Sequence, residues 1–590
     1  MIKNLKKILF LLTPNDRKYA SFLLVMILIM ALLDMIGVAS ILPFMMMMAN
    51  PEIIETNIIF NKVFNYLKIF GVENKNDFLF IFTATIFFLL IISIFFKALT
   101  TYFQVRFIYM QEFIISKRLV EGYLNQPYTW FLSRHSSDLG KNILSEVSQV
   151  IGYGMKPLLD LLAKSLVAIT LIVLLILVDP KIAFVVGSII GSSYLIIFYF
   201  AKGFLSRIGK ERLDSNQFRF NSLSDAFGAT KEIKLAGLEQ IFINRFSNSA
   251  QTYARTTASS VITSQLPRFG MEAMVFGGVL FLILYYMSTK GSLNSILPII
   301  SLYVFAGYRL MPAIQQIYMA FTQLAFVGPS VNSLSDEIKN LDQYTSNLNE
   351  NVFDFKKEIV LNKIEYTYPN SSRKILNDLN IKIPIKSTVG IIGATGSGKT
   401  SLVDIILGLL KPQKGFLEID GITIDKNNLR SWQNIIGYVP QGIFLLDDTI
   451  TANIAFGTDP EKVDINALLK ASKIANIHNF VQEELPNKYS TIVGERGVRL
   501  SGGQIQRIGI ARALYHNPKV LILDEATSAL DSETEHQVMD SINNLSKNLT
   551  IIIIAHRMNT LKNCDVIYKF DKGKIIEQEK FHNTIKKSSY

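Results

Sequence analysis

Gly393 to Thr400 reads GATGSGKT, and this spacing is that of a Walker A loop. The glycines let consecutive backbone N–H groups close around phosphates, Lys399 reaches the β- and γ-phosphates, and the Thr400 hydroxyl can ligate Mg²⁺. Gly393, Thr395, Gly396, Ser397, Gly398, Lys399, Thr400 and Ser401 are therefore the expected nucleotide-binding residues. The flanks agree with this reading. Val389 to Ile392 is a short apolar run of strand type, and Ser401 to Leu410 is apolar at helical spacing, so the phosphates would meet a helix N-terminus.

Further parts of a nucleotide machine follow in order. Val520 to Leu523 reads as a buried strand ending in Asp524-Glu525, where Asp524 can hold Mg²⁺ and Glu525 can polarise the attacking water. Ahead of it stands Leu500 to Gln504, LSGGQ, opening a helix. Its Ser501, Gly502, Gly503 and Gln504 make a second anion site of hydroxyl, N–H groups and helix N-terminus. His556, after the apolar run Ile551 to Ile554, can donate to the γ-phosphate, and Gln441, after Tyr438-Val439-Pro440, can sense Mg²⁺ and water. Glu525, His556 and Gln441 are the expected catalytic set, with Thr400, Gln441 and Asp524 at the metal.

Upstream the chain changes character. Of its 590 residues 49 % are hydrophobic, Phe numbers 40, charged residues make up 18 %, and mean hydropathy is +0.29. That is too apolar for a wholly soluble protein and points to membrane spans, which gather before residue 330. Spans are expected at about 20–48, 78–103, 158–177, 182–201, 268–287 and 293–326. The net charge of +12 raises nucleic acid as a partner. The basic residues, however, gather at Lys3, Lys6, Lys7, Arg17, Lys18 and in loops that would face the cytoplasm, the ordinary positive-inside bias. The first apolar run is a long span with no cleavage site, so no signal peptide is expected, nor an accessory domain before the membrane. The lone Cys564 excludes an internal disulfide.

Between the first two spans, Pro51 to Asp77 is too polar to cross. Its apolar positions, Ile54, Ile58, Phe60, Phe64 and Leu67 among them, suit either an interfacial helix on the outer surface or a helix packed on its own protein. The outer turns at Asp179-Pro180 and Lys290-Gly291 are short. The inner segments Arg106–Lys156 and Lys202–Arg255 are long, so the membrane helices should continue into the cytoplasm, with short transverse helices within Tyr128–Asn142 and Ala226–Leu238. The expected fold class is a membrane all-α six-helix transmembrane domain (1–341), a linker (342–350), and an α/β P-loop nucleotide-binding domain (351–590).

The ordered set GATGSGKT, Gln441, LSGGQ, VLILDE and Ala555-His556-Arg557 resembles the nucleotide-binding domain of ATP-binding cassette transporters, and the membrane half is similar to their type IV exporters. The resemblance implies ATP and Mg²⁺ as cofactors and ATP hydrolysis coupled to transport. It also implies that Tyr368 stacks on adenine, that Gly494-Glu495-Arg496-Gly497 contacts coupling helices, and that Ser528 to Asp531 communicates across a dimer. One Walker loop and one LSGGQ per chain imply a half-transporter, most simply a homodimer, with a heterodimer the alternative. Its place would be the bacterial inner membrane, multi-pass, with the nucleotide-binding domain cytoplasmic.

Charged groups within spans, here Asp34, Lys97, Asp160, Lys164, Arg268, Glu272 and Arg309, are costly and point to function. Lys97, Arg268 and Arg309 lie ~28, ~30 and ~24 Å from the outer ends of their helices, and could form a basic belt for a phosphate or pyrophosphate. The bland reading is snorkelling for Lys97 and Arg268, and an i,i+4 ion pair for Arg268 with Glu272, as for Asp160 with Lys164. Together with the outer segment, Leu266-Pro267-Arg268 and Tyr308-Arg309-Leu310-Met311-Pro312 are most like the bacterial lipid-linked oligosaccharide flippase of protein N-glycosylation. That likeness implies a polyprenyl-pyrophosphate glycan as substrate and membrane lipid as a partner. Drugs, glycolipids or peptides remain alternative cargo, and an ATP-gated channel or regulator is disfavoured by the intact Glu525 and His556.

Overall fold

A computed structural model describes all residues except 1, 70–71, 73, 291–292, 342–352, 370, 546–547, 556–557 and 580–590. Contacts divide the chain into Met1–Gln126 with Arg134–Tyr344, and Pro127–Ser133 with Thr345–Tyr590. The linker expected at 342–350 lies outside the described residues.

The first unit is helical. Thr13 opens the Pro14–Ala39 helix with a capping box to Asp16 and Pro at the first position. Lys75–Leu124 runs 50 residues, ~75 Å of helix against a hydrocarbon thickness of ~30 Å. It therefore extends well beyond its apolar part, as do Pro180–Gly228 and Leu293–Leu341. Among the described residues four helical stretches are long and apolar enough to cross a membrane: Pro14–Met48, Lys75–Leu124, Ser136–Val178 and Ala183–Gly228. The fifth and sixth expected spans fall on the helices Pro267–Lys290 and Leu293–Leu341. Ile27, Ala31, Leu171, Leu302 and Ala306 form the buried centre between helices.

The Pro51–Asp77 connector folds as two short helices, Ile53–Thr56 and Ile58–Lys68, the second capped by Asn57. Phe64 is buried with Met47, Ile54, Val72 and Phe78, its ring edge-on to Phe78 at 5.5 Å. Ile58, Ile59, Tyr66 and Ile69 stay 75, 70, 65 and 77 % exposed. One face of this segment is thus packed on its own protein, and the other is an exposed apolar face.

Within the expected transverse segments lie the helices Tyr128–Phe131, Ser136–Lys141 and Thr230–Ala236, the last ended by Gly237 at φ 65°. Two π-helical turns, Asn142–Glu146 and Ile151–Met155, follow the first pair. The first carries Glu146 into a sealed polar network. Arg212 Nη2 donates to Glu146 Oε2 and to Ser330 Oγ, each at 2.6 Å, and Asn216 Nδ2 donates to Glu146 Oε1 at 2.8 Å.

The second unit is α/β. An antiparallel sheet has the order β2-β1-β4-β5, with β1 Glu358–Tyr366, β2 Leu376–Pro384, β4 Lys414–Ile419 and β5 Ile422–Thr423. A six-stranded sheet has the order β10-β9-β3-β8-β7-β6, with β3 Thr388–Gly393, β6 Ile436–Val439, β7 Val520–Asp524, β8 Thr550–Ile554, β9 Val566–Asp571 and β10 Lys574–Glu579. The strands β9, β3, β8, β7 and β6 run parallel, and β10 is antiparallel. β7 and β8 are buried throughout, which is why they read as unbroken apolar runs. Cys564 is buried too, and burial pushes its thiol up to about 12.

Candidate nucleotide site and membrane charges

Parallel strands deliver their carboxyl ends to one edge of a sheet, where ligands of α/β folds bind. Gly393 ends β3, Asp524 ends β7, and Gln441 stands just beyond β6. His556, expected after β8, lies outside the described residues.

The loop after β3 is shaped by its glycines. A side chain at Gly393 would put its Cβ 2.4 Å from the Phe570 carbonyl oxygen, and Gly396 and Gly398 hold φ of +77° and +109°. The following helix, Lys399–Ile406, has no side-chain cap, so its first N–H groups face an incoming anion. Lys399 is buried, and its Nζ donates to the carbonyls of Gly393 at 2.7 Å and Ala394 at 3.0 Å. Burial lowers its pKa, with Glu525 and Asp524 pulling the other way. Ser397 Oγ is buried without a hydrogen-bond partner. An open helix end, a buried amine and an orphaned hydroxyl fit a polyphosphate.

Glu525 sits in the left-handed region at φ 50°, its N–H donating to Ile554 O at 3.0 Å. That conformation is stored strain of ~1–3 kcal/mol held by the neighbouring strand. Gln441 Nε2 donates to Glu525 Oε2 at 2.8 Å, which joins two of the expected catalytic residues directly. Asp524 is buried beside them, and Thr400 is exposed. With Gln441 they form an oxygen donor set that suits Mg²⁺ held partly by phosphates. Burial, then the charge of Asp524, raises the Asp404 carboxyl to about 6. Tyr368 stands over the start of the same helix, its hydroxyl 3.0 Å from Ser401 Oγ and its ring edge-on to Tyr366 at 5.1 Å.

LSGGQ forms a cap. Ser501 Oγ accepts from Gln504 N at 3.3 Å and Ser501 N donates to Gln504 Oε1 at 2.8 Å, opening the helix Gly502–Tyr515. Glu495 and Arg496 are exposed, Arg496 at φ 53°. Asp531 caps the helix Ser532–Asn543 through Thr534 N, and that hydrogen bond holds its carboxyl below the usual range.

Sequence reasoning missed several supports. Gln506 Nε2 donates to Ser528 Oγ at 3.0 Å and its Oε1 accepts from Ala529 N at 2.9 Å, tying the LSGGQ helix to the Ser528–Asp531 loop. Buried Glu535 accepts from Thr527 and Thr560, each at 2.9 Å, bracing the chain just after Glu525. Their one sequence signal is a polar side chain on the apolar face of a helix. Pro127–Ser133 belongs to this unit. Its Tyr128 lies within electrostatic reach of Asp404 and Tyr368.

In the membrane unit the expected belt divides. Arg309 Nη1 donates to Asp34 Oδ1 at 2.9 Å, and Ser93 Oγ donates to the same oxygen at 3.2 Å. Gln104 Nε2 donates to Asp160 Oδ1 at 2.8 Å. Lys164 lies within electrostatic reach of Lys97, Asp160, Asp34 and Arg309, so four helices bring those charges into one cluster. Arg268 is instead tied along its own helix, Nε to Glu272 Oε1 at 2.6 Å.

The family model described as ABC transporter matches residues 376–528, and that described as ABC transporter transmembrane region matches 53–312. The chain belongs to the ABC transporters. It joins the family's helical membrane domain to its ATPase module in one polypeptide. The leukotoxin export ATP-binding protein LtxB of Aggregatibacter actinomycetemcomitans is 32% identical over 485 residues, 80% of this chain and 66% of that protein. The leukotoxin translocation ATP-binding protein LktB of Bibersteinia trehalosi is 32% identical over 493 residues, with the same shares. The chain thus spans 66% of the length of these relatives. A solved bacterial Atm1-family ABC exporter, with ATP bound, shares the fold at a TM-score of 0.77 and 20% identity, over 97% of this chain and 96% of that one.

Proposed function

We propose that this ABC transporter works as a homodimer in the bacterial inner membrane and uses ATP hydrolysis to move a lipid-linked substrate, a polyprenyl-pyrophosphate-linked oligosaccharide. One observation carries the lipid-linked reading: the Ile53–Lys68 segment packs Ile54 and Phe64 on its own protein yet leaves Ile58, Ile59 and Tyr66 exposed. An apolar face beside a span is suited to a lipid tail. The cluster of Lys97, Lys164 and Arg309 then meets the pyrophosphate, which competes with Asp34 for Arg309. Arg268 enters this reading as the weakest of the candidate contacts, because Glu272 holds it.

In the ATPase module the bound nucleotide supplies a γ-phosphate to be cleaved, and Mg²⁺ the charge that stabilises it. Lys399 turns from the Gly393 and Ala394 carbonyls to the phosphates, and Thr400, Asp524 and Gln441 hold the metal. Glu525 accepts a hydrogen bond from Gln441 and polarises the water, while Tyr368 takes the adenine. Ser501 to Gln504 of a second copy close the site, since a single chain carries one of each motif. His556 is expected to donate at the γ-phosphate.

A second reading, export of a polypeptide, is favoured by the names of the two relatives. Purified full-length protein in proteoliposomes separates them. The proposal expects ATP hydrolysis to rise with added polyprenyl-pyrophosphate oligosaccharide and the rise to vanish in Arg309→Ala. Stimulation by an unglycosylated secreted polypeptide alone would move the assignment to the second reading.

A further inference from the structure

The membrane unit contains an apolar cavity of about 860 Å³, mouth included, lined among others by Leu175, Tyr194, Met271, Met274 and Met311. Its shape is elongated. On the Leu293–Leu341 helix the lining runs from Tyr303 to Ile314, ~17 Å of rise and so about one leaflet of a ~30 Å hydrocarbon layer.

The ends differ in chemistry. At one, Tyr303 spends its hydroxyl on the Asp179 carbonyl, 3.2 Å away. Towards the other, Tyr194 is 8 % exposed and its hydroxyl is buried with no hydrogen-bond partner. Its neighbour Tyr318, ring centroid 5.1 Å away, is satisfied by Thr263 O at 3.1 Å. The Arg268–Glu272 pair lies within electrostatic reach of Tyr194. The slot is therefore apolar along its length, with one unsatisfied donor at the end where charged groups begin. Apolar cavities stay dry and take apolar ligands, methionines adapt to a flexible one, and a buried donor calls for an acceptor.

We infer that this slot binds a single hydrocarbon chain, acyl or isoprenoid, with its tail towards Tyr303 and a head-group oxygen accepting from Tyr194 Oη. A bilayer phospholipid and the substrate's own tail share that chemistry. The inference stands whether the cargo is a lipid-linked glycan or a polypeptide.

Gly278 and Gly307 both line the slot, and a Cβ at either meets no atom within 4 Å. A leucine there projects into the space of the free slot. The test is photolabelling of the full-length protein in proteoliposomes with a diazirine-tailed phosphatidylethanolamine and, separately, a diazirine-tailed polyprenyl phosphate, with labelled peptides mapped by mass spectrometry. Wild type is expected to be labelled within Met271–Gly278 or Gly307–Ile314. Labelling there should fall at least ~10-fold in Gly278→Leu and in Gly307→Leu, and several-fold in Tyr194→Phe, with basal ATP hydrolysis retained as the check on folding. The probe that labels names the source of the chain. Label from neither probe in those segments, as when a second copy covers the slot, or undiminished label in whichever leucine variant retains ATP hydrolysis, overturns the inference.

Discussion

The nucleotide unit and the membrane unit hold their charged groups in different ways. Lys399 is held by the carbonyls of its own loop, Glu525 by the end of the next strand and by Gln441. The loop itself supplies the first, and the order of the parallel strands supplies the others. In the membrane unit Arg309 finds Asp34 across 275 residues of sequence, and Arg212 finds Glu146 across 66. These pairs lie on different helices, and only the packing of those helices brings them together. The two cross-helix pairs also differ from each other, since side-chain exposure is 1 and 3 % for Arg212–Glu146 but 27 and 6 % for Arg309–Asp34. A sealed pair specifies structure, and an open one leaves its cation within reach of a ligand.

Breaking the contrast at the nucleotide site should have the largest effect. Glu525→Gln is expected to lower ATP turnover by ~10²–10⁴-fold, the worth of a positioned general base, while nucleotide still binds; turnover within a few-fold of wild type would remove Glu525 from its role. Next comes the sealed pair. Arg212→Met leaves Glu146 buried without its cation and should cost about 3–5 kcal/mol, seen as a fall in the melting midpoint, whereas Arg212→Met with Glu146→Leu should recover most of it. If the double variant melts no higher than the single, the pair is more than structural.

A pH test sharpens the nucleotide side. Asp404 has a folded-state pKa of about 6, above the unfolded value. The folded form therefore binds more protons between roughly pH 4 and 6, and stability falls as pH rises through that window. Asp404→Asn should raise the melting midpoint at pH 8, by the equivalent of up to about 3 kcal/mol, and leave it unchanged at pH 4. Equal shifts at both pH values would contradict the assignment. The smallest stability effect belongs to Arg268→Ala, whose half-exposed i,i+4 pair is worth ~0.2–0.5 kcal/mol; its transport should stay near wild type while Arg309→Ala loses it. A loss as deep as that of Arg309→Ala would return Arg268 to the belt.

The same contrast governs what was legible in the sequence. GATGSGKT, LSGGQ and Asp524-Glu525 are contiguous, so local geometry implies the chemistry, and β3, β7 and β8 fall where their apolar runs indicate. The long helices are legible for a similar reason, as apolar runs continuing into polar helical segments. The Asp34–Arg309 pair was not, although both residues stand out as intramembrane charges, because a hydropathy profile does not say which helices touch. Lys164 passed for half of an i,i+4 pair with Asp160, yet Gln104 takes Asp160 and Lys164 joins the cluster. The π-helical turns around Glu146 were hidden for another reason. The first delivers Glu146 to the Arg212 network, which only the packed helices create.

The most direct measurement is ATP-dependent translocation of a fluorescent polyprenyl-pyrophosphate oligosaccharide in proteoliposomes, with wild type, Glu525→Gln and Arg309→Ala side by side. The account predicts translocation by wild type alone, with Arg309→Ala still hydrolysing ATP. Wild-type protein that hydrolyses ATP and leaves the glycolipid in its original leaflet would contradict it.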